Sequence, residues 1–203
     1  MFRELELGGE FFVALERADA AILAAVAAAG CARCSVGRLH RSDYDRKPRG
    51  GLCGAAGERF VRRFSLCCDR EGCRRRATPP SLRFLGRRVY LGAVVLVAAM
   101  VGDALARARD VRVATGVPAR TVGRWLGWWR GPFTATAVFI ALASRLVPAV
   151  AMAALPASLL ARLAGDAIER VAVALRHLAP LTTASVPDGS RFVRGVGPVI
   201  VSR

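Results

Sequence analysis

The chain has 203 residues, 54% of them hydrophobic and 23% charged, which excludes an intrinsically disordered protein. Lys and Arg number 31 against 15 Asp and Glu, a net charge of +16, and Lys47 is the only lysine. That balance excludes an acidic-tail protein and points to a polyanionic partner, either nucleic acid or an anionic membrane surface.

The positive charge is concentrated. Residues 31–88 carry 16 basic and 5 acidic side chains, and they hold all six cysteines. The opening run Met1-Phe2-Arg3-Glu4-Leu5-Glu6 is acidic rather than apolar, so a secretory signal is not expected. Disulfides are then not expected either, and the cysteines read as metal ligands or free thiols.

The first segment spans residues 1–30. Phe11, Phe12, Leu15, Ala18, Ile22 and Val26 recur at three- and four-residue steps. This predicts an amphipathic helix over Glu10–Ala29, stopped by Gly30.

In residues 31–82 helical periodicity disappears, and Gly, Pro and Arg dominate, as in Arg46-Lys47-Pro48-Arg49-Gly50-Gly51. A strand is expected over Arg59–Leu66. Such a segment buries little apolar surface and needs a staple, for which a metal ion is the usual choice. Cys31-Ala-Arg-Cys34 is a CxxC knuckle whose two thiolates can reach one tetrahedral zinc. The second knuckle must come from Cys67, Cys68 and Cys73. Cys68 and Cys73 leave four residues between ligands, whereas Cys67 leaves five and faces the other side of a strand. The favoured zinc ligands are therefore Cys31, Cys34, Cys68 and Cys73. His40 is an alternative fourth ligand, Cys53 reads as a spare thiol, and a redox pair at Cys31 and Cys34 is the other functional reading. Arg74, Arg75 and Arg76 follow the last ligand directly. With Arg46, Lys47 and Arg49 they form a surface suited to phosphate backbones. The segment is thus expected to be an arginine-rich zinc ribbon.

Residues 83–131 return to helical patterning. A long apolar helix is expected over Leu85–Ala106, a short one over Arg109–Thr115, and a third from Pro118 to Trp129, stopped by Gly131-Pro132. That order is a helix–turn–helix. In the third helix Val122, Trp125, Leu126 and Trp129 share one face. Arg120, Thr121 and Arg124 lie on the other, toward the N-terminal end that enters a DNA major groove. Arginine there can grip guanine O6 and N7, and Arg130 extends the basic face.

The stretch Val111–Leu126, with Gly116-Val117-Pro118, Arg120-Thr121-Val122 and Arg124-Trp125 at its centre, resembles the helix–turn–helix of bacterial insertion-sequence transposases. In that family a zinc ribbon often precedes the helix–turn–helix, and the order is the same here. Arg112 stands where the family usually has a small residue. The resemblance covers residues 31–131 and implies DNA binding. It brings no catalysis, which needs carboxylates on an α/β domain with two metal ions. Beyond residue 131 only Asp166, Glu169 and Asp188 are acidic, and Asp166 and Glu169 read as surface charges on a helix.

Residues 132–180 are expected to be apolar helices punctuated by Pro148, Pro156 and Pro180, and residues 181–203 a loosely ordered tail. The apolar runs Val89–Val101 and Phe133–Leu160 raise the question of membrane insertion. The first is 13 residues, short of the roughly 20 that a bilayer requires, and prolines break the second. Mean hydropathy is +0.35.

The sequence thus predicts a mainly α fold with a small zinc-ribbon β segment, a helix–turn–helix and a C-terminal helical region. The expected function is that of a non-catalytic, zinc-containing protein that binds DNA, with RNA as the alternative ligand. It would be cytoplasmic and nucleoid-associated, and would self-associate or contact a catalytic transposase partner through its C-terminal helices. The competing classes are a membrane-associated protein with a basic cytoplasmic ribbon and a structural subunit of a larger assembly.

Overall fold

A computed structural model describes residues 8–46, 60–85, 90–100 and 116–194. Helix α1 (Gly9–Ala28) follows the expected boundaries and buries Phe11, Phe12, Leu15, Ala18, Asp19, Ile22, Leu23 and Val26. It ends where Gly30 adopts a φ of 74°, a left-handed conformation that glycine takes without a Cβ penalty. This helix joins two apolar clusters. Phe11 through Ile22 enter the large core. Leu23 and Val26 enter a small second cluster with Cys31, Leu39, Phe64, Leu66, Cys68 and Val186.

Among the described residues, seven short strands follow. Strands β1 (Leu39–Arg41), β4 (Leu66–Cys68) and β5 (Arg76–Ala77) form an antiparallel sheet in the order β1-β4-β5. Leu39 faces Cys68 across it, and Cys67 faces Arg76. Strands β2 (Tyr44–Asp45) and β3 (Arg62–Arg63) form a second ladder. The single strand expected over Arg59–Leu66 is therefore two strands. Its pairing partner changes at Phe64–Ser65, where the Asp43 carboxylate accepts from the Ser65 amide and the Ser65 carbonyl accepts from Ser42.

Strands β6 (Phe84–Leu85) and β7 (Tyr90–Leu91) pair with each other, and helix α2 covers Gly92–Met100. The helix expected to begin at Leu85 thus starts seven residues later. An apolar run without periodicity does not separate strand from buried helix. Here the hydrogen bond from the Gly92 amide to the Arg83 carbonyl closes the hairpin. The rest of that expected helix, 101–106, and the expected helix Arg109–Thr115 lie outside the described residues.

Helix α3 (Ala119–Arg130) starts after Pro118 and ends at Gly131, as expected, and packs on α2. Its buried face, Val122, Trp125, Leu126 and Trp129, meets Tyr90 and Phe133 in edge-on ring contacts. Helices α4 (Ala137–Ala143), α5 (Ala157–Leu160) and α6 (Ala167–Leu178) follow, with 3-10 turns at Met152–Ala154 and Ala179–Thr182. Asp166 and Glu169, expected as plain surface charges, form a capping box on α6. The Asp166 carboxylate accepts from the Ile168 and Glu169 amides, and Glu169 accepts from the Asp166 amide.

The expected loose tail is packed as far as residue 194. Thr182 Oγ1 accepts from the Ser81 amide at 2.9 Å, and Val186 and Val193 are buried. Helix α7 (Ser190–Arg194) lies against α1. The molecule is mainly α with a small β part, and the large core draws residues from all five sequence segments.

Candidate metal centre and basic surface

Residues 31–37 wrap the first pair of thiols. The Ser35 amide donates to the Cys31 carbonyl at 2.8 Å, and the Cys31 amide to the Gly37 carbonyl at 3.2 Å. The Gly37 amide donates to Cys34 Sγ at 3.3 Å. The second pair sits at the end of β4 and in the turn after it, where Gly72 has a φ of 79° and Arg74 one of 40°. There the Cys73 amide donates to the Arg70 carbonyl at 3.1 Å. Arg38 and Asp69 tie the two pairs together: the Asp69 amide donates to the Arg38 carbonyl, and the Arg38 amide to Asp69 Oδ1.

This brings Cys31, Cys34, Cys68 and Cys73 together, with all four sulfurs within 4.8 Å of one another. Cys31 Sγ lies 3.8 Å from Cys73 Sγ, and Cys34 Sγ 3.7 Å from Cys68 Sγ. These are far longer than the roughly 2.05 Å of a disulfide, so the four are free thiols, close enough together that they could hold one metal ion. Of Cys67 and Cys68 it is Cys68 that lies in the cluster, while Cys67 points toward the Arg74 carbonyl. His40 is not in the group and pairs instead with Asp69 at 3.2 Å. That hydrogen bond, joined by the one from the Arg38 amide, holds the Asp69 carboxyl below its ordinary range. Cys53 lies outside the described residues.

The thiols are electrostatically unequal. The amides of Val36 and Gly37 draw Cys34 down to about 6, while burial pushes Cys68 up to about 12. A metal entering at neutral pH must therefore displace a proton from Cys68. Gly37, which sequence reasoning passed over, is sterically required here. A Cβ at that position would collide with Cys68 Sγ.

Of the expected phosphate contacts, Arg74, Arg75 and Arg76 are exposed beside the thiols. Arg76 donates to the Ser42 carbonyl and Ser65 Oγ, and both Arg46 and Arg76 lie against the Tyr44 ring. Lys47 and Arg49 lie outside the described residues. On α3, Arg120, Arg124 and Arg130 are exposed and Thr121 half-buried, with Arg124 donating to Thr121 Oγ1 at 3.2 Å. Gly123 and Gly127 share that exposed face, and a Cβ at either would touch nothing within 4 Å among the described residues.

Sequence reasoning also missed a buried charge network. Asp19 is 1% exposed and Arg83 0%. Asp19 accepts from Ser81 Oγ and the Leu82 amide at 2.6 Å, and from Arg83 Nε at 2.9 Å. Arg83 also reaches Glu16 and lies over the Phe64 ring. An Asp four residues after Leu15 on a helical stripe was the available signal. Among the described residues no helix is long and apolar enough to cross a membrane. No protein-family model, curated protein or solved structure matches the chain.

Proposed function

We propose that the protein is a zinc-containing nucleic-acid-binding protein, with duplex DNA as its ligand and α3 as the element that contacts it. Four thiols suit zinc. A tetrahedron with zinc–sulfur bonds of about 2.3 Å has edges near 3.8 Å, which agrees with the sulfur separations of 3.7 and 3.8 Å. In this reading Cys31, Cys34, Cys68 and Cys73 hold the ion, and its role is to fix the small sheet. The arrangement supports the expected ribbon. The resemblance of residues 111–126 to a transposase helix–turn–helix remains a proposal, in which α3 is the recognition helix, and α3 packs on α2.

The single observation that carries the DNA reading is the outer face of α3. Arg120, Gly123, Arg124, Gly127 and Arg130 form an open stripe on it. Two glycines inside one helix cost roughly 0.5–1 kcal/mol each relative to alanine. No neighbour among the described residues requires them. A surface approached closely by another molecule would, and the flanking arginines make that molecule an anion. Arg74, Arg75 and Arg46 would add contacts to the backbone. Ile140 and Val147, 60% and 92% exposed, favour self-association through the C-terminal helices.

The test is site selection from a random duplex pool, followed by fluorescence anisotropy at several salt concentrations. Replacing Arg120 or Arg124 with alanine should relax base preference at one position, by about 1–3 kcal/mol. Replacing Arg74 or Arg75 should instead weaken all sequences alike and flatten the salt dependence. Unchanged preference and affinity in both α3 variants would overturn the reading. Stronger binding to RNA duplexes or single strands in the same assay would move it to RNA.

A further inference from the structure

A cleft of about 560 Å³ opens beside the thiol cluster, between the first knuckle, β5 and the segment 184–192. Its size falls in the range of small-molecule sites. Four arginines line it: Arg33, Arg75, Arg76 and Arg191. Asp188 is the only acidic residue among the described lining residues, and its carboxylate already accepts from Ser190 Oγ. The floor is apolar, made by the buried side chains of Val26, Leu39 and Val186.

The arginines differ in what holds them. Arg76 is fixed by Ser42 and Ser65, and Arg191 lies 4.5 Å over the ring of Phe192. No hydrogen bond or ion pair engages the Arg33 or Arg75 guanidinium among the described residues. Three chain segments far apart in sequence thus bring arginines to the lining of one recess, Arg76 with its guanidinium turned to Ser42 and Ser65. Like charges converge there at an electrostatic cost, which a bound oxyanion would offset.

We propose that this cleft binds a phosphomonoester carried on a nucleoside. The phosphate oxygens meet Arg33, Arg75 and Arg191, and the base lies on the apolar floor beside Phe192. A monoester offers three oxygens to several guanidiniums at once, and planar guanidinium pairs with it in bidentate fashion. A recess with a closed floor admits a strand end or an isolated nucleotide, whereas a passing strand needs an open groove. The strand-end form rests on the nucleic-acid reading above; the free-nucleotide form does not.

The experiment uses the full chain, zinc-loaded, at physiological salt. Anisotropy compares an oligonucleotide with hydroxyl ends against the same strand phosphorylated at its 5′ or 3′ end. Calorimetry measures free dAMP. A terminal phosphate should tighten binding on the order of tenfold, the effect of a charge-assisted contact. The preference should vanish in Arg33→Gln/Arg75→Gln and in Arg191→Gln. Zinc content, measured in both variants, separates loss of the arginine contact from a damaged knuckle. Binding to the hydroxyl-ended strand should hold in Arg191→Gln, while in Arg33→Gln/Arg75→Gln it should weaken equally for every strand end, because Arg75 also contributes to backbone contact. Binding of dAMP with no oligonucleotide binding would assign the cleft to free nucleotides and sink the DNA reading. Equal affinity for all strand ends with no dAMP binding would overturn the cleft alone. No binding of any probe would overturn both.

Discussion

The metal module and the helical layer reach order by different physics. The helical layer, from α2 to α6, buries Trp129, Phe133, Leu96, Val171 and Leu175 in one continuous core. The module built on β1, β4 and β5 has strands of two or three residues and a small apolar cluster, two of whose members are themselves cysteines. Apolar burial on that scale does not offset the conformational entropy of ordering the chain. The difference teaches where each region is vulnerable: the layer to cavities, the module to loss of the ion proposed for its four thiols. Helix α1 spans both, and Asp19 with Arg83 joins them at the point of contact.

Removing the metal should separate the two regions most sharply. Structural zinc contributes roughly 10–16 kcal/mol in small zinc-dependent folds. Chelation, or Cys68→Ser, should strip hydrogen-exchange protection from β1, β4 and β5 while α3 and α6 keep theirs. Acid should act in the same direction. Thiolates, not thiols, bind the ion, so affinity falls as pH falls. The free Cys68 thiol sits at about 12, so metal loading near pH 8 must release protons, measurable in a weakly buffered titration. Loss of protection throughout the chain would show that the regions do not differ as described.

Asp19→Ala should come next and blur the contrast. It leaves the fully buried Arg83 guanidinium without its main partner, at about 3–5 kcal/mol. Chemical denaturation should show the loss, and exchange should rise in both regions together. Trp129→Ala should cost a similar 3–5 kcal/mol but only in the layer, with zinc content unchanged. A fall in zinc stoichiometry in that variant would contradict the division.

The smallest expected effect has the opposite sign. Gly123→Ala and Gly127→Ala should each raise stability by roughly 0.5–1 kcal/mol, because the added methyl meets nothing and the helix loses less entropy. The same changes should weaken duplex DNA binding. Stabilisation with full binding would remove the glycine argument for α3.

The four-cysteine cluster was legible in the sequence because metal chemistry restricts spacing: Cys31 and Cys34 form a CxxC pair, and Cys68 was favoured over Cys67 on spacing and strand face, and the fold brings these three together with Cys73. Helices α1 and α3 were legible because each presents an apolar stripe with a stop signal at its end. The hairpin of Phe84–Leu85 and Tyr90–Leu91 was not. Phe84, Leu85 and Leu91 are buried and Tyr90 half-buried, so the pattern carries no period, and the bond from the Gly92 amide to the Arg83 carbonyl closes the hairpin. Gly37 could not be found by spacing, since its need arises from a sulfur 31 residues away. The capping box at Asp166 and Glu169 was readable from its D-x-x-E form and was taken for surface charge. The packing of residues 181–194 depends on Ser81 and α1, contacts too distant in sequence for any local pattern to report.

The most direct test of the account is zinc per chain, measured by native mass spectrometry on protein prepared without chelator. The account predicts one zinc ion in the intact chain and in Cys67→Ser and Cys53→Ser, and none in Cys68→Ser or Cys73→Ser. Folded protein without metal, or an ion retained in Cys68→Ser and lost in Cys67→Ser, would contradict it.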